Sequence, residues 1–350
     1  MPALNRVLVV LPNWFGETLF ATPFLRALRR QRPAAWIATL GHPRCREVLL
    51  HNAHVDAQFD YDEEGAHRGP LGKWRLVRAL SAHRADTAFI LRRSLSRSLL
   101  LALAGIPARV GCANAKSGWL LTHRVLAPRG PRHKAATYLP LLEAVGLSAD
   151  GAAALECDYT VSEEERRDAR GLFDRLGVSD GRPMVVLHPG ANWAHKRWAP
   201  NRFAALGDRL AAEGSCIVIT GGPDDRAVAE SIRRTMRQPA AVLAGATSLR
   251  QLGACLAQAR LVIANDTGVL HIAAALGRPL VALYGPTSPA LTGPLGDPRR
   301  MVVLHHPACC PRVPCTRPGQ PPHPGMDAIT VEEAHAAASV LLAQDPSCRP

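Results

Sequence analysis

Residues 260–296 constrain the fold more than any other stretch, because they read as one complete βαβ unit. The apolar run 261–264 has the length and composition of a buried parallel strand. A helix is predicted next, ended by Gly277 and Pro279, and a second buried strand follows at 280–283. Parallel strands linked by a helix predict an α/β fold, since such sheets carry helices on both faces.

The turn after the first strand of this unit carries polar residues that suit an anion. Asp266, Thr267 and Gly268 stand at the predicted start of the helix, where free amides and the helix dipole attract negative charge. His271 lies four residues after Thr267 and shares its helical face. Ligands of open parallel sheets bind at the carboxyl ends of strands. We therefore predict an anion site here; the alternative is a capped core helix whose histidine is simply buried.

Strands and helices alternate along the rest of the chain. Further strands are predicted at residues 6–11, 35–40, 57–60, 87–91, 109–111, 184–187, 216–220 and 241–243. Further helices are predicted at residues 18–30, 133–147 and 331–342. A chain of 350 residues exceeds what one core usually organises. We predict two domains, 1–160 and 161–327, followed by a C-terminal helix and tail at 328–350.

The bulk composition predicts a cytoplasmic protein with an anionic partner. No apolar run approaches the roughly 18 residues of a membrane-spanning helix, and the N-terminus lacks the organisation of a signal peptide. Nine cysteines, an odd number, favour reduced thiols. The net charge is +13 and the pI about 9.9, which suits nucleotides, phosphorylated lipids or a membrane surface. We expect no nucleic-acid partner, because the charge is dispersed and aromatic residues make up 5%.

Two further details of the sequence limit the classes of ligand that the protein could bind. The basic residues are almost all arginine, with lysine only at positions 73, 116, 134 and 196. A lysine that persists in such a chain is one whose compact ammonium matters. The first strand is not followed by G-x-G-x-x-G, which counts against NAD or FAD, and we expect no cofactor.

The loop 188–198 is the second strong candidate for an anion site. It follows the strand 184–187, so it should share an edge with Asp266. Asn192 suits a backbone wrapped round an anion, and Lys196 supplies a point charge for phosphate. The alternative is a solvated basic loop.

Four further strand-end turns carry polar residues. Asp224 follows the strand 216–220 and could bind ribose hydroxyls, although helix capping explains it as well. Residues Thr247, Ser248 and Leu249 open a helix near the same edge, where they could flank a base. In the first domain, Asn13 follows the first strand, and a basic turn that suits an anionic acceptor comprises Arg92, Arg93 and Ser94. A solvated helix start is the alternative for that turn.

Several separated motifs resemble those of glycosyltransferase family 9, the ADP-heptose:lipopolysaccharide heptosyltransferases. They are NWFGETLFATPFLRALR (13–29), LRRSLSRSLL (91–100), ARVG (108–111), HKAATYLPLLEAVG (133–146), HPGANWAHKRW (188–198) and ANDTGVLHIAAALGRPLVALYGPTSP (264–289). The resemblance implies a GT-B fold, two Rossmann-like domains facing across a cleft, and an inverting mechanism. It implies an ADP-heptose donor in the C-terminal domain. The implied acceptor is the lipopolysaccharide inner core on Kdo-lipid A, held by the N-terminal domain at the cytoplasmic face of the inner membrane.

The resemblance also assigns roles to individual residues. Lys196 matches the diphosphate lysine, and Thr267 and Gly268 match the backbone that holds the phosphates. Asp266 matches the acid beside the donor sugar. Asp224 falls where the family places a ribose-binding acid. Glu17 falls on the proposed catalytic base, where many members have aspartate.

The Pro-rich tail 307–324 contains Cys309, Cys310 and Cys315. It resembles the family's tail, but a cysteine that is common there is Gly325 in this chain. Three unevenly spaced cysteines make a weak zinc motif, so we expect a surface loop without metal. We further expect a monomer in peripheral contact with an anionic membrane.

Two rival functions share this architecture. A sugar-nucleotide epimerase would convert the nucleotide sugar alone, without a lipid acceptor. A non-catalytic anion-binding module would keep the sites at Lys196 and Asp266, while Glu17 only caps its helix. Strongly salt-dependent binding to nucleic acid would indicate a more remote fourth function.

Overall fold

Two compact units make up the chain, Met1–Thr160 and Val161–Pro350. The computed structural model describes residues 2–126, 130–149, 155–178, 181–310, 313–315, 319 and 321–344. Within these residues each unit contains one six-stranded sheet whose strands all pair in parallel. The predicted α/β class with two Rossmann-like domains is confirmed.

The first unit is built around its first strand, which is buried at all but one position. Its strands are β1 Arg6–Val10, β2 Trp36–Gly41, β3 Ala57–Asp60, β4 Thr87–Ile90, β5 Ala108–Cys112 and β6 His123–Val125. Its α-helices are α1 Phe15–Leu19, α2 Thr22–Gln31, α3 Gly69–Ala82, α4 Leu95–Leu103 and α5 Pro140–Glu143. The sheet order is β3-β2-β1-β4-β5-β6, so the loops after β1 and β4 are neighbours.

The second unit repeats the arrangement, and the two strands in the middle of its sheet are fully buried. Its strands are β7 Met184–His188, β8 Cys216–Ile219, β9 Ala240–Val242, β10 Leu261–Asn265, β11 Leu280–Tyr284 and β12 Met301–His305. Its α-helices are α6 Glu163–Leu176, α7 Pro200–Ala212, α8 Arg226–Thr235, α9 Leu249–Leu256, α10 Gly268–Ala275, α11 Pro289–Thr292, α12 Pro324–Asp327 and α13 Val331–Ala343. The order β12-β11-β10-β7-β8-β9 puts the loops after β7, β10 and β11 side by side.

Trp198 anchors the loop after β7 in the core of the second unit. Its side chain is 1% exposed, and its indole N–H donates to the carbonyl oxygen of Ile329 at 2.9 Å. Burying a side chain of this size stabilises the fold by about 3 kcal/mol. Ala338 and Leu341 of α13 belong to the same core. The loop that carries Lys196 is therefore fixed at its far end.

Four details of the predicted elements were wrong. The helix predicted at 18–30 is two helices, since Pro23 in the first turn of α2 has no N–H to continue α1. The helix predicted at 133–147 is a 3-10 turn, Lys134–Thr137, followed by α5, and Pro140 interrupts it in the same way. Strands β6 and β12 were missed because both lie at sheet edges and are half-exposed, without a buried strand's pattern.

Candidate functional site

Asp266 is the first residue after β10 and the centre of a polar cluster. Its side chain is 5% exposed. The ammonium of Lys196 donates to Oδ2 at 2.6 Å, and the hydroxyl of Thr287 donates to the same oxygen at 2.6 Å. On the other side, Nε2 of His271 lies 3.8 Å from Oδ1. Side chains from the loops after three adjacent strands thus meet at one carboxylate.

The electrostatics of this cluster keep Asp266 charged. Burial raises the pKa of Asp266, but Lys196 and His271 together with the hydrogen bond from Thr287 outweigh it, so the pKa lies below its ordinary value. The Lys196 side chain stays 20% exposed, which leaves its ammonium able to contact a bound anion as well. Removing either member of such a largely buried ion pair destabilises the protein, because the other charge stays buried without a partner.

The start of α10 lies directly beside the carboxylate. Thr267 is the N-cap residue, and its hydroxyl accepts from the Leu270 N–H at 3.5 Å. Thr267 and Gly268 are half-buried, whereas the helix beyond them is buried up to Ala274. Apart from the Leu270 amide, the first-turn amides have no partner within the helix, so they are available to an anion.

His271 lies beside the carboxylate of Asp266. The residue is 5% exposed, and its Nε2 is 3.8 Å from a carboxylate oxygen of Asp266. A direct role of His271 in donor binding stays a prediction.

Asn265 links two loops of the site and was missed from the sequence. It is fully buried at the end of β10, its amide donates to the Pro189 carbonyl at 2.8 Å, and its side-chain oxygen accepts from the Trp198 N–H at 3.2 Å. These bonds hold both ends of the loop that carries Lys196. Asn192, on the same loop, is exposed. A polar residue that ends a buried strand was the available signal.

In the loop after β8 the structure separates two neighbouring acids. Asp224 is exposed, whereas Asp225 turns inward and accepts from the Gly222 N–H at 3.1 Å and from Arg197 at 3.3 Å. A Cβ at Gly190 would lie 2.2 Å from Oδ2 of Asp225, so a larger residue there would displace that carboxylate. The acid joined to the anion loop is therefore Asp225. The ribose role of Asp224 stays a prediction.

In the turn before α9, one of the residues predicted to bind the donor has a structural role. The hydroxyl of Ser248 accepts from the Gln251 N–H at 3.2 Å and forms a capping box with that residue. Thr247 and Leu249 beside it are half-buried. Ser248 is thus a helix cap, and the contribution of these three residues to base binding is untested.

In the first unit Glu17 lies in the first turn of α1 and forms an ion pair with Lys134. Asn13, in the loop before α1, accepts a hydrogen bond from Arg97 of α4 at 2.5 Å. Arg97 is 2% exposed and pairs with Glu63 at 3.1 Å; burial lowers its pKa. The turns after β1 and β4 are therefore joined through a buried cation.

The basic turn after β4 keeps its arginines in solvent. Arg92 and Arg93 are exposed, while the hydroxyl of Ser94 caps α4 by accepting from the Arg97 N–H at 3.4 Å. The cap explains Ser94 without a ligand, whereas Arg93 lies close to the Cys112 thiol: burial raises the pKa of that thiol, and Arg93 partly offsets the rise. Lys134 and Arg97 were not among the predicted site residues. The scarcity of lysine was the signal that could have added Lys134.

A comparison with known protein families shows to which family this chain belongs. The family model described as Glycosyltransferase family 9 (heptosyltransferase) matches residues 73–319, more than half of the chain. The chain belongs to glycosyltransferase family 9.

Relatives of this family 9 glycosyltransferase cover most of its length. Lipopolysaccharide heptosyltransferase 2 of Escherichia coli K12 is 30% identical over 317 residues, which are 85% of this chain and 88% of that protein. Lipopolysaccharide heptosyltransferase 3 of the same organism is 30% identical over 289 residues, 79% of this chain and 81% of that protein. Among solved structures, ADP-heptose lps heptosyltransferase II of E. coli superposes with a TM-score of 0.81 at 28% identity, covering 97% and 99% of the two chains.

The tail of this family 9 glycosyltransferase brings three possible metal ligands together. One ligand atom each from Cys310, Cys315 and His323 lies within 4.8 Å of the other two. Cys309 is exposed and lies outside this group. Parts of the tail, residues 311–312, 316–318 and 320, lie outside the described residues.

No helix in the described ranges is both long enough and apolar enough to cross a membrane.

Proposed function

We propose that this glycosyltransferase transfers heptose from ADP-heptose to the inner core of lipopolysaccharide, with inversion at the anomeric carbon. The observation that carries the proposal is the cluster of Lys196, Asp266 and Thr287 at the start of α10. An ammonium beside free helix amides is suited to a diphosphate. The two Escherichia coli relatives named above are both lipopolysaccharide heptosyltransferases, which supports the choice of sugar and acceptor.

The donor would bind along the edge formed by β7, β10 and β11. In this proposal Lys196 and the backbone of Thr267 and Gly268 hold the diphosphate. Asp266 orients Lys196 and lies beside the heptose, with His271 behind it. When the bond to the sugar breaks, negative charge grows on the departing ADP. A preorganised cation and amides stabilise that charge more than they stabilise the intact donor.

The rest of the donor would be held by neighbouring loops. Asn192 is exposed on the loop that carries Lys196 and is assigned to the phosphates or sugar. Asp224 is assigned to the ribose, and residues Thr247, Ser248 and Leu249 at the start of α9 to the adenine. The second unit would thus supply every donor contact.

Glu17 is the proposed catalytic base. An inverting transferase needs one group to accept the proton of the attacking hydroxyl. Glu17 meets this need, because the first turn of a helix favours negative charge and Lys134 holds its carboxylate in place. The acceptor is itself anionic, and we assign its recognition to Asn13, Arg92, Arg93 and Ser94. All proposed groups come from one chain, and we propose that the enzyme acts as a monomer.

The experiment that tests this function uses ADP-heptose with and without a lipid A-core acceptor. We expect ADP release to need both substrates, and we expect the acceptor to gain the mass of one heptose. Conversion of ADP-heptose to an isomer without acceptor would instead indicate an epimerase. Binding without ADP release would indicate a non-catalytic module. Either result contradicts the proposal.

We also propose that the first unit contacts the cytoplasmic face of the inner membrane through α3 and α4. Leu95, Leu99 and Leu103 are spaced four residues apart on α4 and are 45%, 42% and 62% exposed. On the neighbouring helix α3, Trp74 is 53% exposed. Apolar and aromatic side chains on a basic surface are typical of proteins that lie in a membrane interface.

The charge around these helices fits an anionic bilayer. Residues 65–142 contain 14 lysines and arginines and a single acid, Asp86. Each basic residue near such a surface contributes roughly 1 kcal/mol of attraction. Sedimentation with phosphatidylglycerol vesicles should fall severalfold when Leu99 and Leu103 are both changed to glutamate. Leu176→Glu, at an exposed leucine of the second unit, is the matched control. Equal sedimentation of all three proteins would contradict the membrane assignment.

A further inference from the structure

The Cys-rich tail brings together three side chains from different parts of its path. Cys310 directly follows a 3-10 turn, Pro307–Cys309, and His323 is the N-cap residue of α12. Cys315 comes between them in the chain. Their ligand atoms lie within 4.8 Å of one another, although 13 positions separate the first residue from the last. The spacings of these three residues are uneven and do not by themselves predict this grouping.

The spacing of these atoms is close to that of a metal site. In a tetrahedral zinc site with bonds of about 2.0–2.3 Å, neighbouring ligand atoms lie about 3.3–3.8 Å apart. Side-chain movements of about 1 Å would bring the three ligand atoms to the distances of a zinc site. Two thiols and an imidazole are also the ligands that Zn²⁺ and Fe²⁺ accept, whereas Mg²⁺ and Ca²⁺ prefer oxygen.

We propose that Cys310, Cys315 and His323 bind one zinc ion. The two cysteines are partly exposed and His323 is 1% exposed, so the ion would lie at the edge of the core, with water as its fourth ligand. Both thiols bind as thiolates, so binding releases their two protons. Nδ1 of His323 accepts a hydrogen bond from the Gly325 N–H at 3.0 Å. Whichever ring nitrogen binds the ion, that bond is lost, because the ion replaces it at Nδ1, and an imidazole that binds through Nε2 carries its proton on Nδ1.

The surroundings of the cluster indicate what the ion would do. The Cys315 N–H donates to the carbonyl oxygen of Pro286 at 2.7 Å, one residue before Thr287. A Cβ at Gly285 would lie 2.5 Å from the Met326 side chain, so α12 packs directly on the same loop. The cluster therefore spans two segments that both contact the loop after β11. A zinc ion would cross-link these two segments.

This proposal goes beyond the transfer reaction and is tested without it. The full-length protein, without a metal-binding tag, is loaded with Zn²⁺, desalted and analysed for metal by mass spectrometry. We expect about one zinc per chain. Cys310→Ser, Cys315→Ser and His323→Ala should each lose most of it. Cys309→Ser is the matched control, since Cys309 adjoins Cys310 but lies outside the group, and it should keep its zinc.

Cobalt gives a second readout that does not depend on how stable each variant is. Co²⁺ added to the metal-free wild type should produce thiolate-to-cobalt charge-transfer absorption, and zinc should abolish it. A wild-type chain that binds no zinc, or that shows no thiolate band, would overturn the proposal. So would a Cys309→Ser variant that loses as much zinc as Cys310→Ser. A Cys310–Cys315 disulfide that resists reduction and excludes metal would also overturn it.

Discussion

Lys196 and Asp266 lie 70 positions apart in the chain, yet the ammonium nitrogen of one is 2.6 Å from a carboxylate oxygen of the other. The pair is part of a larger unit, because Thr287 donates to the same oxygen. A bound diphosphate would have to share Lys196 with Asp266. In the proposed function the carboxylate therefore positions the cation and also limits how strongly the cation would bind the donor.

Lys196→Ala should weaken ADP binding about 10- to 100-fold, since hydrogen bonds to a charged group contribute about 1.5–3 kcal/mol. Arginine should rescue binding only partly, because its planar fork differs from a point charge. Isothermal calorimetry with ADP measures the effect. Lys134→Ala is the matched control, as it removes the ammonium that pairs with Glu17 in the first unit. Unchanged ADP affinity in Lys196→Ala would remove Lys196 from the donor site.

Glu17→Gln should lower kcat by about 10²–10⁴-fold, the usual contribution of a general base. The donor KM should stay within a few-fold, because Glu17 is assigned to the acceptor hydroxyl. Glu17→Asp should recover much of the rate. Steady-state kinetics on variants with wild-type melting temperatures give the answer. A near-normal kcat for Glu17→Gln, with some loss of stability, would show that Glu17 only caps α1.

The main βαβ unit and the approach of Lys196 to Asp266 were largely predictable from the sequence. Buried strands such as β10 and β11 are apolar runs with clear ends, and parallel pairing places their carboxyl ends at one edge. The nearness of Lys196 and Asp266 follows from that rule. The direct ion pair and the third partner, Thr287, do not, because side-chain contacts depend on the path of each loop.

Other features depend on contacts that no local pattern contains. Asp224 and Asp225 are chemically identical neighbours, and only the backbone of their turn decides which one faces Gly190. The grouping of Cys310 with His323 depends on how the tail folds back on the loop after β11. Strand β12 is half-exposed at an edge, so its pattern does not differ from that of an exposed segment.

Acidification should destabilise the second unit through His188. Burial lowers the pKa of His188 to about 4, whereas an unfolded histidine titrates near 6.5. The unfolded state therefore binds the proton first, and stability falls as pH drops from about 6.5 toward 4. The free energy of unfolding should be about 2 kcal/mol lower at pH 5 than at pH 7. Urea unfolding at pH 7 and pH 5 measures it, and His188→Gln should show a smaller difference. An equal difference in both proteins would assign the acid sensitivity elsewhere.

Gly190→Ala should disturb the anion loop, because its new Cβ would fall 2.2 Å from the Asp225 carboxylate. Asp225 is tied to Arg197 and Gly222, so relieving the overlap should cost about 1–3 kcal/mol. Gly171→Ala is the control: it adds a methyl in ordinary contact on α6 and should stabilise the helix by up to about 1 kcal/mol. Thermal melts compare the two. A Gly190→Ala variant as stable as wild type would mean that the loop is looser than described.

Mass spectrometry of core oligosaccharide from cells that lack this protein tests the proposed function most directly. Loss of a heptosyltransferase should leave a core truncated at, and lacking, one heptose of the inner region. The wild-type gene should restore the full mass, whereas Glu17→Gln and Lys196→Ala should restore little of it. A core of unchanged mass in the deletion strain would contradict heptose transfer as the function of this chain.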